Sequence, residues 1–258
     1  MKVLALADIH GNLPALRAVL AQLDGEPVDA IVVCGDTAAG PLVQPALELL
    51  AARAEPVHWV RGNGERETVD RFDGVVPANA TSEWAIWTAG TIERRWRDAM
   101  AGWPPSLELD GVCYCHGTPR SDEEILTRAT PVGVIAAALA GSPGRLVVGG
   151  HTHQQFVREL PDGRRLANAG SVGVPYEGRA GAFWMLVEDG VPRAREIAYD
   201  VPRAVTELHE SGFPDLDGML DAALLLPVDP DWTAAFFEHQ AGRGADPGEP
   251  THAGDAPD

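Results

Sequence analysis

Cysteine is scarce in this chain. The three residues, Cys34, Cys113 and Cys115, are odd in number and form no Cys-x-x-Cys pair, which argues against a disulfide framework. Each lies in an apolar, strand-like run, where a free thiol behaves as a small hydrophobe, so a reducing compartment is the expectation. Positive charge is thin as well: 20 lysines and arginines face 38 acidic residues, for a formal charge of -18. A protein of that sign repels a phosphate backbone, and avid binding to DNA or RNA is not expected. No apolar run approaches the roughly 20 residues that span a bilayer. Met1-Lys2 leads directly into a strand-like run, without the segments of a signal peptide. The expectation is a soluble protein of the cytoplasm with no membrane partner. There is no Gly-x4-Gly-Lys phosphate loop. Ser171, in Ala169-Gly170-Ser171-Val172-Gly173, lies one register off the Gly-x-Ser-x-Gly nucleophile elbow, so a serine hydrolase is rejected.

What is present is enough apolar material for a sizeable core: 45% of 258 residues are hydrophobic, a length that allows one large domain or two small ones. Apolar runs at Met1–Asp8, Ala30–Cys34 and Val57–Val60 read as buried strands, and the spacing of Leu13, Leu16, Leu20 and Leu23 and the stretch Pro45–Arg53 read as helices. This alternation predicts a layered α/β sheet. A largely helical insert is expected from Arg66 to about Pro105, with Trp84, Trp87 and Trp96 as packing residues rather than substrate platforms. Three hairpins are expected further on, turning at Asp110-Gly111, Pro161-Asp162-Gly163 and Glu188-Asp189-Gly190. Helices are expected near 131–140, 201–209, 216–226 and 232–240. Residues 241–258, rich in Gly, Pro, Asp and Ala, lack apolar periodicity and predict a disordered tail after a single domain over 1–240.

The chemistry gathers just past the strands. After the first comes Asp8-Ile9-His10-Gly11-Asn12, after the second Gly35-Asp36, and after the third Gly62-Asn63; later strands end in His116-Gly117 and Gly149-Gly150-His151-Thr152-His153. In open α/β sheets, ligand sites collect at the carboxyl ends of the strands, and glycine there permits tight turns. Imidazole with carboxylate and amide oxygen suits Mn, Fe, Zn or Ni better than the all-oxygen shells of Mg or Ca. The pairs Asp8-x-His10 and His151-x-His153 can each converge from one side of an extended segment. The candidate ligands Asp8, His10, Asp36, Asn63, His116, His151 and His153 exceed one tetrahedral site but fit two ions, about 3.5–4 Å apart, that share a carboxylate. Each element alone is weak, because a strand-end Asp usually caps a helix or closes a turn; the ordered set is what points to metal. His58, His209, His239 and His252 have no such pattern and read as packed or solvated. Arg17, Arg61 and Arg66 could meet a phosphate, although exposed arginines are usually only solvated.

The series of motifs at 8–12, 35–36, 62–63, 116–117 and 150–153 resembles the calcineurin-like metallophosphoesterase superfamily, and Asn168–Gly173 (NAGSVG) resembles its small bacterial phosphodiesterase branch. The match spans roughly Met1 to Tyr199. It implies a β-sandwich of two mixed sheets flanked by helices. It implies a phosphoester hydrolase in which a hydroxide between two divalent transition ions attacks phosphorus, with Mn the expected metal and Fe, Zn, Ni or Co as alternatives. It also implies the division of ligands: Asp8, His10 and His153 on one ion, Asn63, His116 and His151 on the other, Asp36 bridging. Asp36, Asn63 and Asn12 are the expected catalytic contacts. One position departs from the pattern: Gly62-Asn63-Gly64-Glu65 stands where the family has Gly-Asn-His-Asp or Gly-Asn-His-Glu. The missing histidine is the family's phosphate contact and proton donor, so the departure favours phosphodiesters, small nucleotides among them, or good leaving groups, with Asn12, Glu65 or a water as partial substitutes. A phosphomonoesterase (a protein phosphatase or a dinucleoside polyphosphate hydrolase) and a non-catalytic binding scaffold on the same fold are the alternatives.

Overall fold

The computed structural model describes residues 1–75 and 82–252. The first half runs β1 (Lys2–Leu6), α1 (Leu13–Ala21), β2 (Ala30–Val33), α2 (Val43–Ala51) and β3 (Val57–Trp59), followed by α3 (Asn63–Phe72), α4 (Glu83–Thr91) and α5 (Arg94–Gly102). Then come β4 (Ser106–Leu109), β5 (Val112–Cys115), α6 (Val132–Ala138), β6 (Leu146–Gly149), β7 (Gln155–Glu159), β8 (Arg165–Ala169), β9 (Ala182–Glu188) and β10 (Val191–Ile197). Helices α7 (Val201–His209), α8 (Leu216–Leu220) and α9 (Pro230–Gln240) complete the set. The one helix expected over 216–226 is α8 followed by a π-helical turn, Asp221–Leu225, which stops ahead of Pro227, where no helical N–H is available.

Two mixed five-stranded sheets result, in the orders β10-β9-β1-β2-β3 and β4-β5-β6-β8-β7. The first takes β1, β2 and β3 in parallel and adds β9 and β10 antiparallel. The second takes β5, β6 and β8 in parallel, with β4 and β7 antiparallel at its two edges. Crossovers come first, at β1–β2 and β2–β3, but the expectation that only hairpins follow is corrected: the parallel pairing of β5 with β6, joined through α6, falls after the β4–β5 hairpin.

Side-chain alternation sorts these strands into layers. Val3, Ala5, Val32 and Cys34 face Val112, Tyr114, Leu146 and Val148 in the core between the sheets. Their neighbours Leu4, Leu6, Ile31 and Val33 face outward and are covered by Leu13, Leu16 and Leu20 of α1 and by Ala46 and Leu50 of α2. On the far side Cys113, Cys115 and Val147 pack beneath Ile135, Ala138 and Leu139 of the α6 region. All three cysteines are free and buried, in keeping with the packing role read from their runs. The helical insert packs through Met100, Val69, Phe72 and Trp96 on Val43 and Leu47, so Trp96 is a packing residue. Where composition suggests a disordered tail, residues 241–252 lie against the body. Asp229 N donates to Thr251 O at 2.8 Å, Val228 bridges His252, and Arg243 pairs with Glu238. Residues 253–258 of that segment lie outside the described residues. Among the described residues no helix is long and apolar enough to cross a membrane.

Candidate metal centre

The parallel strands end in loops that are tied to one another. Asp8 N donates to Gly35 O, His10 N to Asp36 O, Gly11 N to Thr37 O and Gly150 N to His116 O, at 2.8–3.1 Å. From the return of β8, Val172 N and Gly173 N donate to Ala7 O and Asp8 O, and Ser171 Oγ donates to Asp8 O at 2.7 Å. Asn168 Nδ2 holds Gly150 O at 2.6 Å. The NAGSVG segment thus knits the ligand loops together, and Ser171 is buried inside that mesh. Five candidate ligands, Asp8, His10, Asp36, His151 and His153, adopt left-handed backbone with φ of 53°, 45°, 54°, 72° and 58°. Residues with a Cβ rarely take that conformation, and it persists where surrounding contacts over-determine it. Glycine is required at Gly62 and Gly150 by close approach: a Cβ there would meet Asp36 Oδ1 at 2.1 Å and Asp8 Oδ2 at 2.4 Å.

The side chains converge. His153 Nε2 lies 3.2 Å from Asp8 Oδ1 and 3.3 Å from His10 Nε2. His10 Nε2 is also 3.8 Å from Asp36 Oδ2, and His116 Nε2 is 3.4 Å from the same oxygen. His116 Nε2 meets Asn63 Oδ1 at 3.1 Å, and the His116 and His151 rings lie 5.0 Å apart. Two groups, Asp8-His10-His153 and Asp8-Asp36-His116, bring their ligand atoms close enough to share an ion.

Three histidines share one device. His10, His116 and His153 donate through Nδ1 to the carbonyls of Ala39, Cys34 and Val174, at 2.9, 2.9 and 2.6 Å. A carbonyl only accepts, so Nδ1 carries a proton and it is Nε2 that faces the cluster, able to bind an ion once it has no proton of its own. Asp8 Oδ2 accepts from His151 N at 2.9 Å, whereas Asp8 Oδ1, fully buried, has no hydrogen-bond partner. A buried anionic oxygen without a donor needs a cation. These donors fit divalent transition metal.

Burial opposes ionisation of Asp36, yet His116, His10 and the Gly64 amide outweigh it and hold the carboxyl below its ordinary value. Asp8 is lowered against burial by His153 and His116. Burial would depress His116, but Asp36 and Asp8 hold it up to about 10; burial does prevail at His151, which falls to about 4. The metal-free cluster is therefore a set of paired charges whose protons on imidazole must leave as metal enters.

A calcineurin-like phosphoesterase superfamily domain matches residues 1–189. The chain belongs to this superfamily. Its fold is similar to that of a metallophosphoesterase from Sphaerobacter thermophilus (23% identity, TM-score 0.69, covering 86% of this chain and 99% of the other). It is also similar to a hypothetical protein from Pyrococcus horikoshii (17% identity, TM-score 0.73, 86% and 98%). No curated protein matches the chain.

Within this calcineurin-like phosphoesterase, several expected roles shift. Asn12 is fully buried, and its Oδ1 caps α1 by accepting from Ala15 N at 3.2 Å. Both Nδ2 protons are engaged, by Gly173 O at 2.8 Å and Tyr199 Oη at 3.3 Å. The side-chain groups of Asn12, expected as a catalytic contact, are engaged in holding the loop. Glu65 does not replace the missing histidine either. Its carboxylate accepts from the backbone N–H of Asp36, Ala38 and Gly62 at 2.8–2.9 Å. Burial and Asp36 push it up to about 7 against those amides, and every one of its bonds requires an acceptor. Glu65 thus fixes the Asp36 and Asn63 loops relative to each other. Glu67, missed from sequence, is pushed up by burial and by Asp36, with Asn63 acting in the opposite direction; its place one helical turn after Asn63 was the available signal. Arg17 pairs with Glu207, and Arg66 with Asp122 and Glu123. Trp87 packs in the α7–α8 cluster, while Trp84 stands edge-on to His10, ring centroids 5.6 Å apart.

Proposed function

We propose that this superfamily member is a two-metal phosphodiesterase. Asp8, His10 and His153 would hold one divalent ion, and Asn63, His116 and His151 the other. Asp36 Oδ2, within 3.8 Å of His10 Nε2 and 3.4 Å of His116 Nε2, would serve both. The observation that carries the reading is the buried Asp8 Oδ1, which makes no well-aligned hydrogen bond and faces the imidazole nitrogens of His153, His116 and His10 at 3.2, 3.9 and 4.0 Å. Imidazole, carboxylate and amide ligands accept Mn, Fe, Zn, Ni or Co, and Mn is the ion taken for the tests. When bound, such a pair supplies a hydroxide near neutral pH and neutralises charge on the phosphoryl oxygens.

The chain's own groups aim this chemistry. The carbonyls of Ala39, Cys34 and Val174 fix the imidazole tautomers, the Gly64 amide holds Asp36 Oδ1 at 2.7 Å, and the Asn63 amide oxygen faces His116 Nε2 at 3.1 Å.

Gly64 supports the preference for diesters. It has no side chain to protonate a leaving group, and a general acid typically contributes about 10²–10⁴-fold. A side chain there would also crowd the site, since a Cβ would sit 3.0 Å from Asp36 Oδ1 and 3.2 Å from Ala38 O. A small phosphodiester, such as a nucleotide, is the substrate class that this favours, and three buried free thiols suit a cytoplasmic setting. The test is turnover by the Mn-loaded chain. Bis(4-nitrophenyl) phosphate should exceed 4-nitrophenyl phosphate in kcat/KM, and the reverse order would overturn the diester assignment.

A further inference from the structure

Beside the cluster stands a tyrosine outside the ligand set. Tyr176 lies in the loop between β8 and β9, and its ring stacks on His153 with centroids 4.9 Å apart and planes 16° from parallel. Its backbone is fixed at both ends: Tyr176 N donates to His153 O at 3.1 Å, and Tyr176 O accepts from Gln154 Nε2 at 3.0 Å. Phe237 of α9 backs the ring at 6.2 Å. A side chain held this firmly usually has its polar end satisfied. Here, among the described residues, the hydroxyl makes no hydrogen bond, and unlike the Tyr114 hydroxyl it is not sealed in the core. A phenol is ordinarily neutral at physiological pH, and its hydroxyl can donate a hydrogen bond.

We propose that the Tyr176 hydroxyl donates a hydrogen bond to a phosphoryl oxygen of the bound substrate. In this way it supplies part of the phosphate contact that a glycine at position 64 cannot make. The inference rests on the reading of the cluster as a phosphoesterase site. Its ligand chemistry is a tetrahedral phosphate oxygen, free or esterified, and the role needs no ionisation of the phenol.

Tyr176→Phe keeps the stack on His153 and removes only the oxygen. The probe is inorganic phosphate titrated calorimetrically into Mn-loaded protein, with metal content measured on the same samples. A lost hydrogen bond to a charged group predicts a dissociation constant raised about tenfold or more, with unchanged metal content and unchanged Tm. Tyr176→Ala should add a loss of metal affinity, because it also removes the ring that supports His153. Hydrolysis of bis(4-nitrophenyl) phosphate is read separately. A wild-type chain that binds phosphate, loses affinity in Y176F and cleaves no ester supports the contact and sinks the reaction. Equal phosphate affinity in the two chains at equal metal content, or no phosphate binding by either, overturns the proposal.

Discussion

The two edges of the sandwich reach the same unusual backbone conformation by different routes. At the edge away from the metal centre, Asp110 and Asp189 have φ of 53° and 50°, and each is followed by a left-handed glycine, Gly111 and Gly190. Those are two-residue hairpin turns, and Asp-Gly is the local chemistry that such turns prefer. At the other edge, Asp8, His10, Asp36, His151 and His153 are left-handed too. Histidine and aspartate there are held by bonds that cross between loops, such as Gly150 N to His116 O and Val172 N to Ala7 O. The far edge stores its geometry in two adjacent residues. The near edge stores it in the whole fold, and this is where the candidate donor atoms converge.

The difference can be broken most severely at the shared carboxylate. Asp36→Asn, nearly isosteric, should abolish turnover and leave the fold intact, as judged by circular dichroism; near-wild-type activity would remove Asp36 from the site. Next is Gly150→Ala, whose Cβ would fall 2.4 Å from Asp8 Oδ2 and 2.5 Å from Ala7 Cβ. Overpacking of that kind should lower stability by about 3 kcal/mol and weaken metal binding, both measurable by denaturant titration of the metal-free and loaded protein. Gly190→Ala at the other edge meets nothing within 4 Å, so only left-handed strain remains, about 1–2 kcal/mol, with no change in metal content. Similar losses for the two alanines would erase the contrast. Glu65→Gln puts an amide N–H where three backbone N–H groups need an acceptor. It should cost about 1–3 kcal/mol and shift metal affinity more than it shifts the Tm of the metal-free chain.

What could be read from sequence follows the same division. The βαβαβ run and the three hairpins were legible because each signal is local: a continuous apolar run, a helical spacing, an Asp-Gly turn. The candidate ligands could be gathered from sequence because each donor sits directly after its strand, and the structure brings Asp8, His10 and His153, and Asp8, Asp36 and His116, close together. The bonding of Asn12 was not legible because the partners that occupy its amide, Gly173 and Tyr199, lie 161 and 187 residues away. Glu65 looked like a spare acid until Asp36 N and Ala38 N, 29 and 27 residues away, were seen to engage it. The helix expected over 216–226 failed for a smaller reason, since apolar spacing does not distinguish a π-helical turn from an α-helical one. Nor does strand spacing place β9 beside β1, with Val3 opposite Val187 and Leu4 opposite Leu186. That pairing joins distant parts of the chain.

Metal stoichiometry tests the pairing of ions at Asp8 and Asp36 most directly. After loading with Mn and removal of free ion, elemental analysis should give about two ions per chain for the wild type and a clear loss in Asp36→Ala. One ion or none in the wild type, or two in the variant, would contradict a dinuclear centre built on these carboxylates.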